Sequence, residues 1–345
     1  MIPIIIVNWN GIEDTKECIS SVLELEGIQF KIFLVDNGSS EQQVEELQQL
    51  YSDHPKISLH LNASNIGFSK AHIKIYEEVL EEQDFAYIAL LNNDTIIDSN
   101  WLSALVSTAE NENADLISSK MISFFNRDLI DNTGHKMLNT GEILPIGHGE
   151  LITEHDAPIE NLGPCAGACL YSKKMIDEIG FFDPYFSTGY EDAEFGLRAV
   201  VAGYKAVYAP KAIVYHKMGQ SIKKIFNFEY SAMIQTSILY SYFKNIPTLK
   251  LILDLPFIIL KTILMVIINI VFWRIKYLKV LVKSWVTILN SSRTISIKRK
   301  QTAKIRKKQI STLDLFRKTE FFLAFDLKRF YRIIIKREES SIDNY

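Results

Sequence analysis

The chain holds 345 residues, 48% of them hydrophobic and 23% charged, a globular composition that excludes a wholly disordered chain and favours two structural units over one. Its formal net charge of −3 conceals a split: residues 1–218 carry 14 Lys and Arg against 33 Asp and Glu, and residues 219–345 carry 24 against 8, so the parts stand at −19 and +16. An acidic body joined to a basic segment implies an anionic partner for that segment, a lipid surface or a nucleic acid, and charge alone does not separate the two.

The apolar start, Met1 to Val7, stops at Asn8. It is too short for a signal peptide and reads as a buried strand. Strands are expected at Ile2 to Val7, Lys31 to Val35, Ile57 to Leu61, Phe85 to Leu91 and Asp115 to Ser119, alternating with helices at Glu13 to Leu25, Glu41 to Leu50, Lys70 to Glu82 and Asn100 to Asn111. Ile73, Tyr76, Val79 and Leu80 recur at helical spacing and would cover a sheet. This alternation is the sequence form of an α/β, mainly parallel central sheet flanked by crossover helices. From Phe125 to Asn161 the periodicity fades into a stretch rich in Gly, Asn and His, a hairpin or loop excursion. A strand Ala166 to Tyr171, a short helix Lys173 to Ile179, a loop Asp183 to Tyr190, a helix Glu191 to Ala202 and a strand pair near Lys205 to Tyr215 then close a domain of residues 1–220. Cys18, Cys165 and Cys169 are too few for a disulfide framework and lack the second ligand pair of a zinc site, which points to a reducing cytoplasm.

Residues 221–345 read as a mainly α-helical, basic and apolar region. Ile246 to Trp273 is mostly apolar, yet its longest charge-free run, Thr262 to Trp273, is twelve residues, short of the ~20 that cross a bilayer. Residues 298–308 hold seven Lys or Arg in eleven positions. Beyond them Leu313, Phe316, Leu323, Leu327, Phe330 and Ile334 fall on one helical face, with Lys318, Lys328, Arg329, Arg332 and Lys336 opposite; Glu320 intrudes on the apolar face, and Phe321 and Phe325 on the basic one. Cations beside apolar faces fit peripheral attachment to an anionic membrane surface. A buried helical hairpin and a dimer interface are the other readings of Ile246 to Trp273.

Strand ends in an open α/β sheet converge on a crevice, so the polar residues after each strand are the first candidates for a site. No glycine-rich phosphate loop follows the first strand, where Asn8, Trp9, Asn10 and Gly11 stand instead, and this weakens a dehydrogenase, ATPase or nucleotidyltransferase reading. Asp36 is an acceptor-only carboxylate suited to a nucleobase imide or a ribose hydroxyl, or the first residue of an Asp-Asn-Gly turn. Gly67, after Asn65, admits close backbone approach of a ligand or makes a turn. Asn92, Asn93 and Asp94 emerge from the apolar run Ile88 to Leu91; Asp94 is either an oxygen ligand for Mg²⁺ or Mn²⁺ or part of a loop ahead of a cap at Asp98 or Ser99. Thr188 and Glu191 have capping-box spacing, whereas Asp192 has no such structural use and is either a general base or an exposed first-turn acid. His216 ends a strand and is a structural group or a further Mn²⁺ ligand.

Taken together, Ile-Val-Asn-Trp-Asn-Gly, Val-Asp-Asn-Gly-Ser-Ser, Asn-Ile-Gly-Phe, Leu-Leu-Asn-Asn-Asp-Thr, Gly-Ala-Cys-Leu, Gly-Phe-Phe-Asp, Tyr-Glu-Asp-Ala-Glu-Phe-Gly-Leu-Arg and Tyr-His resemble, in this order, the family 2 glycosyltransferases, and within them the rhamnosyltransferase-like branch. The likeness covers residues 1 to about 220. It implies a Rossmann-like GT-A fold of the nucleotide-diphospho-sugar transferases and an inverting transfer of rhamnose or a hexose from a nucleoside-diphosphate donor to a glycan or lipid-linked saccharide in cell-surface polysaccharide synthesis. By position it implies Asp192 as catalytic base; Asn8, Asn10, Asp36, Asn65, Gly67 and Asn93 as donor contacts; Gly167 and Glu191 as acceptor contacts; and Asp94 with His216 as ligands of Mg²⁺ or Mn²⁺, with no organic cofactor. Asn92 and Asn93 replace acids often found in that triplet, so Asp94 is its one charge. An enzyme on the cytoplasmic face of the plasma membrane is expected, with no nucleic-acid partner and a homo-oligomer left open. The competing reading is a non-catalytic nucleotide-sugar module fused to a segment that binds nucleic acid or membrane.

Overall fold

The computed structural model describes residues 1–217, 227–305 and 312–331; the expectations for residues 306–308 and 332–336, and for the side chains of Lys328, Arg329 and Phe330, lie outside them. Two compact units divide the chain, one of residues 1–135, 145–200 and 204–217, the other of residues 136–144, 201–203 and those beyond 227. The segment 136–144, which the sequence places in the first domain, belongs with the second unit.

The first unit is built on a nine-stranded sheet among the described residues. Strand β1 (Ile2–Asn8) lies in its interior with Ile4, Ile5 and Ile6 fully buried, because both faces are covered and an unbroken apolar run is then required. It pairs in parallel with β2 (Phe30–Asp36) on one side and β4 (Tyr87–Asn92) on the other; β2 carries β3 (Ile57–Leu61) at the edge. Helices α1 (Ile12–Leu23), α2 (Glu41–Tyr51) and α3 (Phe68–Ile75) connect them, and α1 buries Ile12, Cys18, Ile19 and Val22 at helical spacing. The helix expected to run on to Glu82 widens instead into a π turn over Tyr76–Leu80.

Beyond β4 the sheet becomes mixed rather than mainly parallel. The short β5 (Thr95–Ile97) precedes α4 (Trp101–Glu112), and β6 (Leu116–Ser123) follows it. Strand β10 (Ala168–Ser172) inserts antiparallel between β4 and β6, and α5 (Lys173–Ile179) and α6 (Glu191–Ala202) follow. The expected strand pair at residues 205–215 is one strand, β11 (Ala206–His216), parallel to β6 and antiparallel to β5, with a register shift between Ala209 and Ile213. Pro210 lies in that break and has no N–H to offer a ladder. The excursion contains β7 (Ile130–Asn132), paired to β6, and a hairpin of β8 (His135–Leu138) and β9 (Ile143–Pro145).

In the second unit, helices α7 (Phe228–Asn245), α8 (Thr248–Val271), α9 (Ile275–Asn290) and α10 (Ser292–Lys304) pack together. The stretch expected as one amphipathic helix from Leu313 is broken into α11 (Thr312–Arg317), β12 (Thr319–Glu320) and α12 (Phe322–Phe330). The residue that spoiled the helical pattern marks the break: Glu320 sits in β12, pairs with Leu138 of β8, and its carboxylate meets Lys136 at 3.1 Å.

Candidate active site

Three strand ends stand side by side in register, with Asn8 opposite Asp36 and Val7 opposite Asn92. Sheet order β3-β2-β1-β4 reverses direction between β1 and β4, the place where a crevice opens in such sheets. Asn8 is fully buried there and knits the loops: its amide donates to Asp36 Oδ2 (2.8 Å) and Ser39 Oγ (3.1 Å), and its carbonyl accepts from the Thr15 hydroxyl (2.9 Å) and the Gly11 N–H (3.2 Å). Asp36, also fully buried, accepts further from Ser39 N (2.9 Å) and Gly38 N (3.2 Å). Both side chains, expected as donor contacts, are buried and brace the crevice loops through these bonds. Asn93 is drawn into the same network through its amide, which donates to Thr15 Oγ1 (3.0 Å), Asn8 Oδ1 (3.3 Å) and Gly11 O (3.3 Å). Asn10 is exposed and accepts from Ser40 N at 2.9 Å.

Asn65 and Gly67 lie on the next loop, where Asn65 Oδ1 takes the Asn37 amide (3.0 Å) and the Gly67 N–H (2.8 Å). Gly67 admits a backbone, but of the protein itself. Its φ is +87°, and a Cβ there would stand 2.8 Å from the carbonyl oxygen of Ser187.

Asp94 leaves β4 into a pocket of charge. Because His216 is registered against Thr95 and Ser123, its ring arrives beside Asp94, with Nε2 3.4 Å from Asp94 Oδ1. On its other side His216 Nδ1 is 2.7 Å from Asp131 Oδ2. Asp131 comes from β7, and Gly149 N–H bonds Ile130 O so that His148 falls next to it, Nδ1 3.4 Å from Asp131 Oδ1. All four side chains are largely buried. Burial opposes the imidazolium of His216, but the carboxylates of Asp94 and Asp131 outweigh it and raise the group to about 10. The same pairing holds Asp94 and Asp131 below the usual carboxylate range despite their burial, and raises His148. Asp131 and His148 were missed in the featureless excursion; the signals on offer were the acid in Ile-Asp-Asn-Thr-Gly and, seventeen residues on, the imidazole in Ile-Gly-His-Gly, two turn-bounded segments with nothing local to join them.

These residues fit a hard divalent cation. Among the described residues no group of three or more His, Cys, Asp or Glu is arranged as ligands. Asp94 and His216 nonetheless present one oxygen and one nitrogen to a common space, and the carboxylate on Nδ1 leaves Nε2 as the liganding atom, the outer-shell arrangement usual for metal-bound histidine. A substrate diphosphate and water would complete such a site.

Asp192 reaches the crevice by a close backbone approach. A Cβ on Gly196 would stand 2.5 Å from Leu162 O, and one on Gly163 2.7 Å from the Cα of Gly196, so α6 lies directly on the strand-like segment 162–163. One turn earlier Asp192 Oδ2 accepts from Ala166 N–H at 3.0 Å, and the neighbouring Gly167 O takes the N–H of Asn92 at 2.8 Å. Asp192 therefore stands beside the end of β4, half-buried. Helix α6 starts at Glu191 because Gly189 and Tyr190 have φ of +89° and +74°, so Glu191 is its first residue and not the third of a capping box; Thr188 Oγ1 instead accepts from Phe68 N at 3.4 Å. Glu191 is buried, and burial together with the Asp192 charge raises its carboxyl to about 8. Its Oε2 has no hydrogen-bond partner among the described residues. Gly167 is buried too, against the Asn92 amide and Met121. Both residues expected as acceptor contacts, Glu191 and Gly167, are thus buried. Arg198 and Glu194 of the same motif are structural: Glu194 is fully buried, and Arg198 donates to the carbonyls of Ile179 (2.6 Å) and Gly180 (2.9 Å). A further buried imidazole, His135, is held neutral by burial, with the Asp192 charge opposing.

Residues 4–180 match the sequence family described as Glycosyl transferase family 2. The match ends before Asp192 and His216. An uncharacterized Sinorhizobium fredii protein, y4gI, is 24% identical over 199 residues, which are 54% of this chain and 21% of the relative, so the chain spans about a fifth of its length. Among solved structures, GalNAc-T7 with UDP, GalNAc and Mn²⁺ superposes with a TM-score of 0.57 at 14% identity, over 70% of this chain and 47% of that one. The Pyrobaculum calidifontis mannosyltransferase PcManGT in complex with GDP-Man and Mn²⁺ gives 0.48 at 13% identity, over 70% and 62%.

Proposed function

The chain belongs to glycosyl transferase family 2 and has the GT-A fold, and from that membership we propose that it transfers a sugar, with inversion, from a nucleoside-diphosphate donor to a hydroxyl of a glycan or lipid-linked saccharide. The observation that carries the reading is the convergence at one crevice of Asp192, tied to Ala166 N–H, and the Asp94–His216 pair beyond the adjoining end of β4.

The loops braced by Asn8 and Asp36 form the donor's floor, with Asn10 on its rim. Asp94 and His216 would hold a divalent cation, and when bound it screens the diphosphate as a leaving group. Mn²⁺ and UDP named with the GalNAc-T7 structure accord with such a pairing. Asp192 takes the proton of the acceptor hydroxyl as its oxygen attacks the anomeric carbon; the bond from that carbon to the phosphate oxygen breaks and the nucleoside diphosphate departs. The motif likeness favours dTDP-rhamnose or a UDP-hexose as donor. The basic charge of the second unit supports attachment to an anionic membrane surface, the cytoplasmic face of the plasma membrane, where a lipid-linked acceptor for cell-surface polysaccharide would be met.

Incubation of the purified chain with labelled nucleotide sugars and Mn²⁺ tests the reaction. Release of nucleoside diphosphate supports transfer. Release of pyrophosphate, or of neither across a full donor panel, overturns it.

A further inference from the structure

Helix α8 is amphipathic in the reverse sense of a soluble helix. Its polar residues Lys250, Asp254, Lys261 and Asn269 share one side with Ile258, and that side faces protein. Lys250 and Asp254 form a buried pair at 2.6 Å, joined by the hydroxyl of Tyr242, while Lys261 lies 2.6 Å from Glu142 and 3.5 Å from Asp326. Every charge on the helix is thus neutralised inside the second unit. The opposite side shows Ile252, Ile259, Ile263, Ile267 and Ile270 between 46% and 62% exposed, and the turn into α9 ends it with Trp273 at 84%. A contiguous apolar face of this length on a soluble body marks a contact surface.

Charge names the partner. Between Asp254 and Asp314 the chain has 13 Lys and Arg and no Asp or Glu. Arg274, Lys276 and Lys279 are exposed at the Trp273 turn. An apolar face edged mostly by cations repels a second copy of itself and complements a surface whose interior is apolar and whose rim is anionic.

The depth of insertion follows from the polar side. Helix α8 is 24 residues long and its most apolar 18-residue stretch has a mean hydropathy of 2.5, long and apolar enough to cross a bilayer by length and composition. But its polar side extends from Lys250 to Asn269, roughly 29 Å at 1.5 Å per residue, and the Asp326 carboxylate facing it is 43% exposed. Water-accessible carboxylate beside the middle of the helix is incompatible with a lipid-surrounded span.

We propose that α8 lies in the plane of an anionic membrane, its isoleucine face sunk among the acyl chains, Trp273 at the headgroup level, and the cations of α9 and α10 on lipid phosphates. This deepens the reading of a membrane-attached enzyme, and the two separate experimentally. Flotation of the full chain with phosphatidylcholine vesicles containing phosphatidylglycerol is compared with the double variant Ile263→Asp/Ile267→Asp, whose fold is checked by circular dichroism and melting temperature. In-plane insertion predicts a partition coefficient lowered on the order of 100-fold, since each exposed Ile loses its burial in lipid. Equal flotation of both proteins, with binding lost only in high salt, overturns the insertion and leaves attachment through cations standing. No flotation of the unmodified chain overturns both. Resistance to alkaline carbonate extraction overturns the in-plane geometry in favour of a span, and a solution dimer that the double variant dissociates, without vesicle binding, assigns the face to a second copy.

Discussion

Asp131 receives the Nδ1 proton of His216 at 2.7 Å across 85 residues of chain. The bond turns Nε2 toward Asp94, so the orientation of one proposed metal ligand depends on a carboxylate that touches neither donor nor cation. For Asp131→Asn, the amide still fills the space but no longer compels one tautomer. We expect Mn²⁺ affinity to fall about 10–100-fold in a titration followed by electron paramagnetic resonance, with the melting transition retained. Equal affinity would detach Asp131 from the site.

Asp192→Asn separates proton transfer from architecture. An asparagine carbonyl can still accept from Ala166 N–H, so the start of α6 and the crevice wall are preserved. Turnover should fall about 100- to 10,000-fold while donor binding, followed by isothermal titration, is unchanged. Retained turnover in the purified variant refutes the assignment of the base.

Why some of this was legible and some not has a physical basis. Buried parallel strands require unbroken apolar runs, so Ile2 to Val7 and Ile88 to Leu91 announce themselves, and the polar residue ending each run falls at the crevice. The place of a side chain at the crevice is legible in this way; its direction is not. Asn8 and Asp36 stand where a ligand contact would, yet each is the other's partner, a relation set by the parallel register of β1 and β2. Asp131 and His148 are placed by pairings that cross the sheet from an irregular segment, for which no local periodicity exists. In the second unit, helical spacing continued past residue 318, while the pairing of Glu320 with Leu138, distant in the same chain, determined the break.

Gly196 reports on how α6 is seated. With Leu162 O only 2.5 Å from a Cβ at this position, and that oxygen part of the backbone, relief requires the helix to move off residues 162–163. Gly196→Ala should destabilise the fold by about 1–3 kcal/mol in a urea titration. It should also lower kcat more than donor affinity, because Asp192 rides on the same helix one turn away. Unchanged stability would show that the contact relaxes without cost.

Glu191 couples helix α6 to pH. Its carboxyl, pushed up to about 8 first by burial and then by Asp192, keeps a proton in the fold that the unfolded chain releases near its ordinary value of 4.5. Between these two values the unfolded state holds fewer protons, so stability must fall as pH rises through the window and level off above about 8. Glu191→Gln cannot ionise and removes this contribution. Its stability relative to the unmodified chain should therefore improve from about pH 5 to about pH 8.5 by at least ~1 kcal/mol, measured by denaturant midpoints at each pH. Asp192→Asn, by deleting the neighbouring charge, should weaken the same slope without abolishing it, since burial is the larger cause. Parallel pH profiles for all three proteins would mean that Glu191 is ionised in the native state, and its buried, unpartnered Oε2 would then need a cation or donor that approaches it in solution.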